Sequence, residues 1–129
     1  MAQVKQITVT AESKPGVLAK VCAALAAANV NILAVCAADV GDRGKLRLVV
    51  SDPARAKQAL TDAKIRCGEE PALALTLDDR PGSLGRVAEK LAAAKINIKC
   101  TYATTTGGGG SAQVILVVSN PDKAERALA

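Results

Sequence analysis

The feature that most constrains this chain is an internal repeat. The stretch from Asp79 to Asn97 matches the stretch from Ser13 to Asn31 when 66 residues are subtracted from each position. Each copy contains a Pro-Gly pair, an apolar stripe and an Asn-Ile pair, all at the same separations. A repeat of this kind decides the architecture before any local propensity does. We therefore interpret the 129 residues as a tandem repeat of one segment, with predicted domains at 1–70 and 71–129.

The same order of elements is predicted in both halves. Alternation around Ile7 and Val9 is typical of a half-buried strand, and the apolar spacing from Leu18 to Ala28 indicates an amphipathic helix. Two strands joined by a glycine turn follow, and Asp52-Pro53 is a helix-start signal. The prediction is an α+β fold of tandem ferredoxin-like βαββαβ repeats, with antiparallel sheets and the helices on one face.

Two local predictions concern the places where the halves differ. A short fourth strand is predicted at 65–67, and Glu69-Glu70-Pro71 is expected to be a hinge. In the second half the sequence stops at Ala129, so its final strand is expected to be missing and strand 71–77 is expected to lack a neighbour. Residues 114–118 are apolar on both faces, which favours a homodimer interface in the second repeat.

Composition excludes several classes of protein. Without histidine there is no Ser/His/Asp triad, Cys/His pair or ordinary zinc site, so we expect no enzyme, no metal and no cofactor. The net charge of +5 is spread over both halves, and Tyr102 is the one aromatic residue, so neither nucleic acid nor a membrane is expected as a partner. Four scattered cysteines and the lack of a signal peptide or transmembrane run predict reduced thiols in the cytoplasm.

The chemistry of both repeats is concentrated where the first helix begins. Glycine after proline leaves the first turn uncrowded, so its N–H groups can bind a carboxylate. Ser13 or Asp79 can take an amino group, and Asn31 or Asn97 offers both a donor and an acceptor. Each feature alone is common in helix starts and turns, but both recur at the same separation. Asp79 supplies a carboxylate where Ser13 has a hydroxyl, so we expect the second site to be the stronger.

These residues resemble the ACT domain family. The resemblance rests on Pro-Gly-x-Leu at 15–18 and 81–84, the apolar stripe, and Asn-Ile at 31–32 and 97–98, and it covers nearly the whole chain twice. The chain is more similar to small tandem ACT proteins than to enzymes with an ACT tail. Serine-sensing relatives carry a polar ligand residue where this chain has Ala11 and Leu77.

The resemblance implies that a free amino acid, or a related metabolite, binds at an interface between two domains. The residues implied as ligand-binding are Ser13, Lys14, Gly16, Val17, Leu18, Asn31 and Ile32 in one copy, and Asp79, Arg80, Pro81, Gly82, Ser83, Leu84, Asn97 and Ile98 in the other. The leading hypothesis is a sensor that passes occupancy to a partner or to its oligomeric state. The alternative is a ligand-independent regulatory subunit of an amino-acid biosynthetic enzyme. An RNA-binding module comes third and an enzyme last.

Overall fold

The computed structural model describes residues 2–105, 107 and 109–129, so Gly108 of the second hairpin's glycine run lies outside the described residues. The chain forms two compact units. We call Lys5–Glu70 the first unit, and Pro71–Ala129 together with Met1–Val4 the second unit. The elements in order are β1 Ala2–Glu12, α1 Val17–Ala27, β2 Ile32–Val40, β3 Arg43–Val50, α2 Pro53–Asp62, β4 Gly68–Asp78, α3 Ser83–Ala93, β5 Ile98–Thr105, β6 Ser111–Val118 and α4 Pro121–Leu128.

In the first unit, β3 is the central partner of an antiparallel sheet. It pairs with β1, where Ile7 lies opposite Leu48, and with β2, where Val35 also lies opposite Leu48. Residues opposite each other in a ladder point to the same face. That face packs against α1 through Val21 and Leu25 and against α2 through further buried side chains, and together they form the core of this unit. Val35, on the outer strand of the sheet, is 45% exposed and does not belong to this core.

The second unit repeats this arrangement with β6 in the centre. β6 pairs antiparallel with β4 and β5, and Leu73 lies opposite Leu116. Both side chains are fully buried, and Leu91 of α3 and Ala124 of α4 pack into the same core. The helices of each unit therefore cover one sheet face, which confirms the predicted ferredoxin-like fold.

The helix starts differ within each unit but match between units. Gly16 and Gly82 precede α1 and α3 with φ of 95° and 90°, a left-handed conformation that favours glycine. Asp52 caps α2 by accepting a hydrogen bond from the Arg55 N–H at 3.1 Å, which confirms the predicted start, and Asn120 caps α4 in the same way.

The predicted short strand at 65–67 and hinge at 69–71 are wrong. A single strand, β4, runs without a break from Gly68 to Asp78. Glu70 is held in place because its carboxylate accepts hydrogen bonds from the Arg47 guanidinium at 3.0 Å and the Gln6 amide at 2.9 Å. Pro71 ends no strand here, although proline removes one N–H from the ladder.

Among the residues that the structure describes, the second unit has no strand after α4, but strand β4 does not lack a neighbour. β1 and β4 are hydrogen-bonded neighbours, and the first residues of β1, up to Val4, belong to the second unit. The expectation of an open edge at 71–77 is therefore wrong. The division at residues 70 and 71 as two ACT domains stays a prediction.

The argument for a dimer interface on β6 also fails. Ile115 and Val117, on the face away from the helix core, are only 7% and 2% exposed in the single chain. They leave no apolar face on this strand for a second copy to cover. Among the described residues, no helix is both long enough and apolar enough to cross a membrane.

Candidate functional site

The starts of α1 and α3 have the geometry of an anion-binding group. Neither helix has a side-chain cap, and the first helical bonds run from the Lys20 N–H to the Gly16 carbonyl and from the Arg86 N–H to the Gly82 carbonyl, both at 3.0 Å. The positive end of the helix dipole is therefore not neutralised by a capping side chain in either unit. The Ser83 N–H is an exception to the predicted pattern, since it already donates to the Arg80 carbonyl at 3.3 Å.

A cavity of about 250 Å³ lies beside the start of α1 in the first unit. Four of the predicted site residues line it: Ser13, Lys14, Val17 and Leu18. The far wall comes from the end of β2 and the start of β3, namely Ala37, Ala38, Asp39, Gly44 and Leu46, with Glu12 completing the lining. The helix start thus faces the end of the second strand, where Asp39 brings a carboxylate that the sequence analysis did not single out.

Asp39 is hydrogen-bonded to Ser13, one of the predicted site residues. The Ser13 hydroxyl donates to Asp39 Oδ1 at 2.7 Å, and the Ser13 N–H donates to the Asp42 carbonyl at 3.3 Å. These two bonds join the loop before α1 to the β2–β3 hairpin. Both side chains of the pair are exposed, so the carboxylate stays accessible from the cavity.

The second unit has the corresponding arrangement around Asp79. Its carboxylate accepts a hydrogen bond from the Thr105 hydroxyl at the end of β5, and its N–H donates to the Gly110 carbonyl at 2.8 Å. The Thr105 hydroxyl oxygen also accepts from the Gly107 N–H at 3.0 Å. The loop before α3 is therefore joined to the β5–β6 hairpin at the same place as in the first unit.

The start of α3 carries an additional cation. The Arg86 guanidinium lies over the first turn of α3, 3.4 Å from the Ser83 hydroxyl. A cavity of about 350 Å³ beside it is lined by Arg80, Ser83 and Arg86, among other residues. Asp79 is not among the residues that line this cavity. In the first unit, Lys20 is the residue 66 positions earlier. Arg86, like Asp39 and Thr105, is a residue that the sequence analysis missed.

The two predicted asparagines lie at the other end of the sheet. The Asn31 N–H donates to the Ser51 hydroxyl at 2.9 Å, and the Asn97 N–H donates to the Ser119 hydroxyl at 3.1 Å. At about 3.3 Å per strand residue, Asn31 is roughly 26 Å from Asp39 along β2. Within one unit, the structure does not bring either asparagine to the helix start.

The other predicted residues have structural surroundings. Ile32 and Ile98 are partly buried against the cores of their units. Leu18 and Leu84 are exposed on the first turns of α1 and α3. Tyr102 is partly buried on β5, opposite Ile115. In the part of the chain that the structure describes, no three Cys, Asp or Glu side chains are grouped so as to hold a metal ion.

The missed partners had a signal in the sequence. Asp39 and Thr105 are separated by 66 residues, as are Ser13 and Asp79. Extending the repeat alignment to the end of the second strand would have paired them. Their bonds span 26 residues of chain in each unit, however, and only the fold shows that the end of this strand meets the helix start.

Comparisons with known proteins identify the family and the fold. The sequence model of a known family, described as the ACT domain pair, matches residues 2–129. Among solved structures, protein BT0572 from Bacteroides thetaiotaomicron is 32% identical with a TM-score of 0.90, covering 98% of this chain and 86% of that one. No curated protein sequence matches.

More distant structures share the fold. The ligand-free regulatory subunit of aspartate kinase from Thermus thermophilus is 18% identical, with a TM-score of 0.70 and coverage of 99% of this chain and 95% of that one. A structure of the aspartokinase alpha and beta subunits is also 18% identical, with a TM-score of 0.67 and coverage of 98% and 89%.

Proposed function

Because the chain belongs to the ACT domain family, as a pair of ACT domains, we propose that it is a non-catalytic regulatory protein that binds a free amino acid. The observation that carries this proposal is the first-unit cavity, in which the Asp39 carboxylate faces a helix start without a side-chain cap. These two groups have opposite charge and match the two ends of a zwitterion. Occupancy would be passed to a partner protein or to the oligomeric state.

The orientation of the ligand follows from the charges. Its carboxylate would lie at the N–H groups of Val17 and Leu18, where the helix dipole favours an anion. Its ammonium group would lie at the carboxylate side of the cavity. A volume of about 250 Å³ is below the roughly 300–1,000 Å³ of sites for drug-sized ligands, so the cavity suits a small metabolite. In the second unit, Asp79 and Leu84 would take the same roles.

The position of Asn31 supports a site completed by a second copy of the chain. β2 is the edge strand of the first unit, and it exposes Leu33 at 61% and Val35 at 45%. Two such edges can pair antiparallel around a two-fold axis at Val35. Asn31 and Asp39 lie four residues on either side of Val35, and β2 has a bulge between Ile32 and Ala34, so this pairing would bring Asn31 of each copy to within about one residue of Asp39 of the other.

The homodimer would therefore use β2 rather than β5. The residues of β5 that correspond to Leu33 and Val35 are Lys99 and Thr101, which are polar. An edge with exposed apolar side chains favours association, whereas a lysine on an edge strand opposes it. Dimerisation through β2 gives the interface between ACT domains at which the resemblance implies binding.

A ligand-independent regulatory subunit remains the alternative. It is suggested by the fold shared with regulatory subunits of aspartate kinase, and its partner would be an amino-acid biosynthetic enzyme. In that case the chain would associate with the enzyme whether or not an amino acid is present. Co-purification from the source cells without added amino acids would favour this alternative.

The test of the sensor is a thermal-shift screen against the twenty amino acids, added singly. A ligand at 100 times its dissociation constant stabilises the folded state by about 2.7 kcal/mol. We expect one amino acid, or a related pair, to raise the melting midpoint by several degrees. If none of the twenty amino acids raises the melting midpoint, the sensor hypothesis is contradicted and the ligand-independent subunit is favoured.

A further inference from the structure

A second cavity of the first unit lies between the end of β1, the start of α1 and the segment 64–66 that follows α2. Its volume is about 250 Å³. It shares Glu12, Lys14 and Val17 with the cavity beside Asp39, but its other walls are different. We call it the basic cavity. Among the described residues that line it, one is acidic, Glu12, and four are basic: Lys14, Lys20, Lys64 and Arg66.

Three of these four cations have no acidic partner in the part of the chain that the structure describes. Lys14 pairs with Glu12, with 3.8 Å between Nζ and Oε2. None of the salt bridges between described residues involves Lys20, Lys64 or Arg66. Charges of one sign around a concave surface raise its potential and attract an ion of the opposite sign. The basic cavity therefore has an excess of positive charge that suits an anion.

The segment 64–66 is held in place by the end of α2. The Lys64 N–H donates to the Thr61 carbonyl at 2.9 Å, and the Ile65 N–H donates to the Leu60 carbonyl at 2.8 Å, which are the paired bonds of a Schellman motif. Ile65 packs against the core of the unit, so the backbone of Lys64 and Arg66 on either side of it is fixed beside the cavity. An anion would meet a wall that is already ordered, which lowers the cost of binding.

The second unit has a similar cavity, the one beside α3, in which two of the cations recur. Lys14 and Lys20 correspond to Arg80 and Arg86, so the positive charge is retained although the residue type differs. The described lining of that cavity contains no counterpart of the segment 64–66, so the first unit has the more basic cavity. Seven of its lining residues lie 66 positions after lining residues of the basic cavity: Thr76, Leu77, Asp78, Arg80, Ser83, Arg86 and Val87.

We propose that the basic cavity of the first unit binds the phosphate group of a small phosphorylated metabolite. The planar guanidinium of Arg66 can donate two parallel hydrogen bonds to phosphate oxygens, and the ammonium groups of Lys20 and Lys64 add positive charge. The half-buried side chains of Val17 and Ile65 would contact the carbon skeleton of the ligand. This site is separate from the amino-acid site of the proposed function and does not depend on it.

A small ligand fits the basic cavity better than a nucleic acid does. Sites for single-stranded nucleic acid extend over several nucleotides and use aromatic side chains on which bases stack. The basic cavity has a volume of only about 250 Å³, and no aromatic residue is among the described residues that line it.

The experiment is a nuclear magnetic resonance titration of the backbone amides, with the ionic strength held constant by chloride. The probes are inorganic phosphate and propyl phosphate. In wild type both should give saturable shifts centred on Lys64, Ile65 and Arg66. Propyl phosphate should bind a few-fold more tightly, because its carbon chain covers apolar wall.

Lys64→Gly and Lys95→Gly form a matched pair of variants. Both lysines follow a helix with a left-handed backbone, at φ of 61° and 59°, but Lys95 lines neither the basic cavity nor the cavity beside α3. Each variant removes one positive charge and places glycine where the backbone favours it, so the melting midpoint without phosphate should stay at or above that of wild type. Lys64→Gly should weaken phosphate binding about 5- to 10-fold, and Lys95→Gly less than about 2-fold.

Arg66→Gln should weaken both probes as much as Lys64→Gly does. Equal weakening by Lys64→Gly and Lys95→Gly would overturn the inference, because binding would then depend on net charge alone. No saturable shift of wild type with millimolar phosphate would overturn it as well. A short single-stranded RNA that binds through Lys64 and Arg66 more tightly than either probe would replace the metabolite site by a nucleic-acid surface.

Discussion

Replacing Leu33 by Asp should dissociate the proposed dimer. Full burial of a leucine side chain stabilises by about 1.5–3 kcal/mol, and Leu33 is 61% exposed, so covering it contributes about 1–2 kcal/mol per copy. Because a two-fold interface contains Leu33 from both copies, the two side chains together contribute about 2–4 kcal/mol to the free energy of dimerisation. The dimer dissociation constant should therefore rise about 30- to 700-fold, and the charge of Asp adds to that effect.

Sedimentation velocity over a concentration series is the appropriate assay. Wild type should show a dimer that dissociates on dilution, and Leu33→Asp should remain monomeric over the same series. The side chain of Leu33 belongs to neither core, so the variant should keep its circular dichroism spectrum and fold as a monomer.

The matched control is Lys99→Asp at the corresponding position of β5. Since β5 is not the proposed interface, this variant should have the mass of wild type. A monomeric wild-type chain, or equal dissociation by Lys99→Asp and Leu33→Asp, would refute the argument from the β2 edge. The amino-acid panel then tests whether the monomeric variant also loses binding at the first site, as a site shared between copies requires.

Two further predictions concern stability. Gly16→Ala should destabilise the chain by about 1–2 kcal/mol in urea unfolding because the φ of Gly16 is 95°. Gly85→Ala, inside α3, should stabilise it by about 0.5–1 kcal/mol. Neither added methyl group meets an atom within 4 Å, so equal effects of the two variants would contradict the argument from backbone conformation. The hydrogen bond and charge of Lys57, 2.8 Å away, lower the pKa of Glu69 from its ordinary value of 4.5. The pair therefore stabilises the folded state fully above pH 4.5, and this contribution is lost as the pH falls through the lowered pKa of Glu69. Lys57→Met should therefore flatten the loss of unfolding free energy in acid, and an unchanged pH profile would refute the assignment.

Local features were predictable because they depend on neighbours in the sequence. The Asp52 cap needs only the N–H three residues later, and proline and glycine mark a helix start without reference to the rest of the fold. The repeat added long-range information, since two copies of one pattern predict two copies of one fold. The ACT resemblance, confirmed over residues 2–129, follows from these features.

The sequence was less informative wherever an interaction joins distant segments. Glu70 looked like part of a hinge, but Arg47 and Gln6 hold it within a continuous strand. Ile115 and Val117 looked like an interface, yet the single chain buries them. For Glu70, the partners that decide what the pattern means lie far away in the sequence.

By itself, then, the sequence determined the repeat, the order of elements, the helix starts and the family, because these depend on spacing and on short-range backbone chemistry. Only the tertiary structure decided that Asp39 and Thr105 meet Ser13 and Asp79, that Asn31 lies at the opposite end of β2, and that Leu33 remains exposed at an edge. These facts depend on which strand ends lie together after folding. Strand pairing joins residues that no local pattern connects.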